Sequence, residues 1–268
     1  MTRYICETCG TQYADTPVPP AHCRVCEDER QYVGWQGQRW TTHEELSKRF
    51  QLRIDEDDGL LGIALPSEFA IPQRALLLPT DAGNILWECV SLATPEAVAE
   101  LKARGGVDLI AISHPHFYSA MVEWSEALGG VPILLHEADR EWVMRPAPQV
   151  EFWRGDTKRL SDAVTLIRCG GHFAGSTALH WKDGPTPGGA LFPGDALQVA
   201  SDRRHAGFMY SYPNYIPMKA SDVRAMRERL APFAFEQVFG FSWGRNITSD
   251  GRAAVAASFD RFFQAIGD

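Results

Sequence analysis

The 268-residue chain contains no apolar run of 18 residues, so no segment reads as a membrane-spanning helix and no membrane partner is expected. The opening residues, Met1-Thr-Arg-Tyr-Ile-Cys-Glu7, lack the apolar stretch of a signal peptide, which makes the cytoplasm the expected compartment. There is no internal repeat and no low-complexity tract. No P-loop occurs, which weakens a nucleotide-hydrolysis reading. Basic residues are in deficit: 26 Lys and Arg against 34 Asp and Glu give a formal charge of −8. A phosphate backbone is repelled on average by such a chain, so nucleic acid is a poor partner. Cysteine is scarce, with six in all, and four of them lie within the first 26 residues. What remains is 45% hydrophobic, enough for one large core plus a small module.

The four early cysteines form two C-x-x-C pairs, Cys6-Glu-Thr-Cys9 and Cys23-Arg-Val-Cys26. Two tight turns can aim four thiolates at one tetrahedral ion, and in a reducing compartment that spacing favours metal over disulfides. About 30 residues cannot build a sufficient apolar core, so the metal is expected to supply the folding energy of this segment. Tyr4 to Tyr13, with Cys23 to Cys26, resembles a rubredoxin-like or zinc-ribbon knuckle. Tetrathiolate sites accept zinc or iron, and the resemblance does not choose between them. The other two cysteines, Cys89 and Cys169, stand in apolar runs and read as buried thiols.

Beyond the knuckle the pattern alternates. Strands are expected at 59–65, 74–79, 84–89, 107–112, 131–135, 164–169, 177–181, 190–192 and 236–239. Helices are expected at 43–50, 94–104, 119–128, 221–230 and 252–266, the second started by Thr94-Pro95 and stopped by Gly105-Gly106. Strands come both in pairs and in alternation with helices, which suggests two packed sheets with helices outside. The division is placed at residues 1–40 and 41–268.

Chemistry-bearing residues sit just past the expected strands. His114-Pro-His116 follows 107–112, His172 follows 164–169 in a Gly-Gly-His turn, and Asp195 follows 190–192 in a Pro-Gly-Asp turn. An alternating pair such as 114 and 116 puts both imidazoles on one face of an extended segment. Three histidines and a carboxylate suit zinc or ferrous iron. Ser113-His114-Pro-His116-Phe-Tyr118-Ser119, Gly171-His172-Phe-Ala-Gly175-Ser176 and Gly194-Asp195 together resemble the metallo-β-lactamase-fold hydrolase superfamily over about residues 55–268. The resemblance implies an α+β fold, an αββα sandwich with the metal site at one sheet edge, and attack by metal-bound hydroxide.

The departures from that family are specific. Tyr118 and Ser119 replace its Asp and His, and its late histidine falls at Trp243 or a neighbour, so a mononuclear centre is expected from His114, His116, His172 and Asp195. Asp195 is assigned as ligand or base, and Tyr118 as oxyanion donor or pocket wall. The aromatic segment 203–219 supplies Tyr210, Tyr212 and Lys219, with Trp243, as candidate substrate-binding residues; it reads equally as a packed loop or as a contact between copies in a homodimer. The expected activity is hydrolysis of a small ester, thioester or lactone at a zinc centre. The alternatives are a mononuclear iron oxidoreductase of the persulfide-dioxygenase kind, using the knuckle for electron transfer, and a non-catalytic metal-binding module.

Overall fold

The N-terminal module holds β1 (Tyr4–Cys6), the single helical turn α1 (Arg24–Glu27) and β2 (Trp40–Thr42). The computed structural model describes residues 1–267. β1 and β2 pair antiparallel, Tyr4 opposite Thr42 and Cys6 opposite Trp40, which carries the module past the division expected after residue 40. The four cysteines pack with Tyr13, Trp40, Trp142 and Met144. Trp142 and Met144 belong to the larger domain, and Ile5 joins that domain's main core. The module therefore draws apolar support from its neighbour, where the sequence pointed to a metal alone. α2 (His43–Arg49) follows, opened by a reciprocal capping box between Thr42 and Glu45.

Seven strands then lie side by side in chain order: β3 (Arg53–Asp57), β4 (Leu60–Ala64), β5 (Arg74–Thr80), β6 (Gly83–Trp87), β7 (Leu109–Ala111), β8 (Ile133–His136) and β9 (Val150–Trp153). β3 to β6 are antiparallel and β6 to β9 parallel. The parallel run needs crossovers, which α3 (Pro95–Ala103) and α4 (Met121–Ala127) provide. The second sheet starts with β10 (Thr157–Arg159), β11 (Val164–Arg168), β12 (Thr177–Trp181) and β13 (Ala190–Phe192). The chain next forms two small ribbons, β14 (Gln198–Val199) with β15 (Ala206–Gly207) and β16 (Met209–Ser211) with β17 (Ile216–Pro217), before α5 (Ala220–Leu230). It returns as β18 (Gln237–Phe239), parallel to β13, and β19 (Asn246–Ile247), and ends in α6 (Gly251–Ile266).

Period-two alternation sorts the side chains into three layers. Leu76, Leu78, Ile85 and Trp87 meet Leu166, Leu179 and Phe192 between the sheets. Leu77, Leu86 and Ile110 face the other way, into the cluster that holds Leu101 of α3 and Trp124 of α4. Ile167, Leu191 and Val238 pack under Val223 and Met226 of α5 and Val255 and Phe259 of α6. This is the αββα sandwich expected. Strands buried on both faces carry unbroken apolar runs, which is why they were legible.

Arg74, at the head of β5, fastens the two sheets where they meet. Its Nε lies 2.7 Å from Asp57 Oδ2 of β3. Its Nη2 donates to Asn246 Oδ1 of β19 at 2.8 Å, and its Nη1 donates to the Gly240 carbonyl. Removing one partner of a buried pair strands the other charge. Arg74→Ala is expected to cost about 3–5 kcal/mol of unfolding free energy, read by urea denaturation, with Arg74→Lys recovering part of it.

Candidate metal centre

β7 ends at Ala111, and His114 is still extended, with φ −166° and ψ 169°. The chain then turns. Pro115–Phe117 is a 3₁₀ turn with proline at its start, so His114 and His116 do not alternate along a strand as expected. They converge because the turn folds the second ring back, leaving the ring centroids 5.3 Å apart at 74°. His172 enters from the turn after β11. That turn is closed by Ser176, whose carbonyl accepts from Cys169 N (2.7 Å) and Gly170 N (3.0 Å) and whose Oγ accepts from Phe173 N (2.8 Å). Thr177 N donates to the Ser113 carbonyl at 2.9 Å and ties this loop to the His114 loop across the sheets. Asp195 arrives on the turn after β13. A Cβ at Gly194 would fall 2.2 Å from Ser113 Oγ, and its φ is +55°, so the backbone approaches this closely only as glycine.

The four side chains meet. One ligand atom from each of His114, His116, His172 and Asp195 lies within 4.8 Å of the others, and all four residues are buried. The imidazoles are held in ligand-ready form by their outer nitrogens. His172 Nδ1 donates to the Tyr210 carbonyl at 2.9 Å; a carbonyl only accepts, so Nε2 is a bare lone pair. His114 Nδ1 is 2.7 Å from Ser113 Oγ, which leaves its Nε2, 3.7 Å from Asp195 Oδ2, facing inward. His116 Nδ1 stands 3.2 Å from His172 Nε2. His116 Nε2 is buried without a hydrogen-bond partner. His114 Nε2 and Asp195 Oδ1 are buried without hydrogen-bond partners, a costly arrangement that a cation relieves. Burial, then the neighbouring histidines, keeps His114 and His116 neutral well below the usual imidazole range. Burial likewise pushes His172 down to about 4 and Asp195 up to about 7. Three neutral imidazoles and one carboxylate fit a divalent ion.

Sequence reasoning passed over two buried acids beside this centre. Glu88 follows β6 with a left-handed φ of +68°; its Oε2 accepts from Ser113 N at 3.1 Å, while its Oε1 has no partner. Burial pushes it up to about 8. Asp139 accepts from Gly175 N at 2.8 Å and is pushed up to about 7, again by burial. An acid directly after an apolar strand was the only trace in the sequence, and it does not separate Glu88 from any other loop acid.

Tyr118 and Ser119, the residues expected to stand in for a second ion's ligands, are both buried. Burial with the Asp139 and Glu88 carboxylates holds the Tyr118 phenol protonated. Ser119 Oγ accepts from Gln73 Nε2 at 2.7 Å, and its carbonyl accepts from Gln12 N of the knuckle at 3.0 Å. In the late loop Phe241 stacks on Phe117 at 5.8 Å, and Phe117 lies 4.3 Å from the His114 ring. Among the described residues no further metal-binding group of three or more His, Cys, Asp or Glu adjoins these.

The substrate-binding candidates scatter. Trp243 packs against Gly62 on the inter-sheet face of β4, near the sheet's edge, under the Arg53 guanidinium at 3.9 Å. Lys219 is exposed and precedes α5, its carbonyl accepting from Asp222 and Val223 N. Tyr212 supports the centre from behind: its OH donates to the Asp195 carbonyl at 3.2 Å and its ring lies 5.8 Å from that of His172. Tyr210 donates to Glu29 Oε1 of the knuckle at 2.6 Å. His136 and His180 are satisfied structurally, their Nε2 donating to the Gly155 and Ala234 carbonyls at 3.0 and 2.7 Å.

The knuckle forms a second donor group. Its four sulfurs also lie within 4.8 Å of one another. Cys6 and Cys26 sulfurs are 3.5 Å apart and those of Cys9 and Cys23 3.6 Å. Metal–sulfur bonds of about 2.3 Å imply tetrahedral edges of about 3.8 Å, so the cage fits one ion. Gln38 Nε2 donates to Cys6 Sγ at 3.2 Å and Tyr13 OH to Cys23 Sγ at 3.4 Å, as suits thiolates. Residues just after the cage reach the other centre: Arg30 Nη1 donates to the His172 carbonyl at 3.2 Å, and its guanidinium lies 3.8 Å over Phe173.

No protein-family model matches the chain. Over 269 residues it is 40% identical to the uncharacterized protein YmaE of Bacillus subtilis (strain 168), covering 99% of this chain and 97% of that one. Its structure is similar to the DIM-1 metallo-β-lactamase, with TM-score 0.57 at 12% identity over 80% of this chain and 98% of that one. It is similar also to a B3 metallo-β-lactamase with an active-site glutamic acid (TM-score 0.53, 15% identity, 79% and 87% covered). The Rm3 metallo-β-lactamase gives TM-score 0.52 at 16% identity, with 80% and 95% covered. At these identities the likeness is one of fold.

Proposed function

The chain belongs to the family of Bacillus subtilis YmaE and has the metallo-β-lactamase fold, and on that footing we propose that it is a metal-dependent hydrolase with a single catalytic ion, acting on a small ester, thioester or lactone. One observation supports this reading: four donors are gathered within 4.8 Å, and among the described residues no second group of donors adjoins them, Tyr118 and Ser119 taking the places where the resembled family has Asp and His. His114, His116, His172 and Asp195 would hold a zinc or iron ion, which when bound polarises a carbonyl and acidifies water.

The chain's own residues do the rest. Ser113 Oγ and the Tyr210 carbonyl orient two of the imidazoles. Asp195 presents two oxygens in different situations: Oδ2 faces His114, and Oδ1, without a partner, can take a proton from the attacking water. The protonated phenol of Tyr118 donates to the oxygen on which charge develops. With exposures of 0–5% for the four ligands, access is narrow and selects small substrates. The test is elemental analysis of the purified protein together with an ester, thioester and lactone panel. Two ions per chain, and turnover that stops on chelation and returns with zinc or ferrous iron, are expected. Three ions per chain, or hydrolysis indifferent to chelation, overturn the reading. Dioxygen consumption with a persulfide substrate in place of hydrolysis would favour the iron oxidoreductase.

A further inference from the structure

A cavity of about 340 Å³ lies on the outer side of the turn that carries His172. Its floor is the Cys169–Gly171 backbone, and α5 contributes Asp222, Ala225 and Arg229 at helical spacing from one face. Arg30 and Arg168 complete the wall, so three guanidiniums surround a space lined by one carboxylate. Two further acids pair with these guanidiniums but leave hydrogen-bond donors unmatched. Asp28 grips Arg30 at 2.5 and 2.8 Å from outside the cavity. Asp156 stands 3.8 Å from Arg168 Nε and 3.7 Å from Arg229 Nε, beyond hydrogen-bond reach. Arg168 Nε is buried and has no hydrogen-bond partner. Arg229 is braced by one donor, Nη1 to the Cys169 carbonyl at 3.0 Å. A buried donor on a charged group is costly to leave unmatched, and guanidinium forks match oxyanions in shape and charge.

The geometry points to an anion site here: Arg30, Arg168 and Arg229 bind a small oxyanion of the phosphate or sulfate type in the cavity behind His172. The site is separate from the four-ligand centre and does not depend on its being catalytic. It is nonetheless in touch with it, because Arg30 also holds the His172 carbonyl and Tyr210, a wall of the cavity, accepts from His172 Nδ1.

Calorimetric titration of the metal-loaded protein with inorganic phosphate and with sulfate tests this. Saturable binding of one anion per chain is expected. Arg168→Gln weakens it by about tenfold or more. Asp222→Asn tightens it by about threefold, since the lining carboxylate opposes the ligand. The opposite signs separate a specific site from damage to the fold. Binding must also persist in His116→Ala. Absence of saturable binding, unchanged affinity in Arg168→Gln, a weakening in Asp222→Asn, or loss of binding in His116→Ala would each overturn the proposal, the last by assigning the anion to the catalytic ion.

Discussion

Replacing His116 with Ala removes one of two bound ions and lowers hydrolysis by on the order of 10³-fold or more. The expectation rests on geometry: His116 Nδ1 and His172 Nε2 are 3.2 Å apart, and neither has another inward-facing partner to compensate. The loss should appear as a drop from two ions to one by elemental analysis, with near-ultraviolet dichroism retained. A control belongs beside it. Ser113→Ala frees His114 Nδ1 without removing a ligand and should weaken metal affinity by only about 10–100-fold. A His116→Ala protein that keeps both ions and full activity would refute the assigned centre.

The second large effect concerns the knuckle. Cys9→Ser removes one sulfur of a fully buried cage. The expected cost is on the order of 5 kcal/mol, a fall in melting temperature of about 10 °C, because metal binding there is folding energy. The damage should not stay local. Arg30 lies four residues past Cys26 and reaches the His172 carbonyl, while Glu29 and Gln31 carbonyls accept from Asn214 Nδ2 at 2.9 Å each. Loss of the cage ion should therefore also weaken the ion held by the histidines, measured by competition with a chromogenic chelator. A Cys9→Ser protein with unaltered affinity at the histidine centre would show the two sites to be independent.

Most of the frame was legible because its strands are apolar on both faces, and such runs have few other readings. β12 and β13 were placed to the residue for that reason. β3 was missed because Arg-Ile-Asp-Glu-Asp is a charged edge strand, with no apolar stripe to announce it. β1 and β2 were missed because three-residue strands more than thirty residues apart carry no local signal. The four grouped donors were legible through their turns. Their support was not. Glu88 looks like any acid after a strand until its left-handed backbone is seen. Tyr212 looks like a lid aromatic until its hydroxyl is found on the Asp195 carbonyl. The late-loop position was read only as Trp243 or a neighbour, and nothing apolar in the sequence singles out Phe241, which stacks on Phe117. Residues that act through shape or through another residue's carbonyl leave little trace in one-dimensional pattern.

The near-total enclosure of the four donors has a kinetic consequence. An ion held by those donors would lie behind Tyr212 and the knuckle's Arg30, and would exchange more slowly than at an open site. Loading is then tied to the order in which the polypeptide assembles, and a chain that closes before capture is left empty and slow to fill. Whichever cation is most available during synthesis, more than whichever binds most tightly at equilibrium, would determine the occupant.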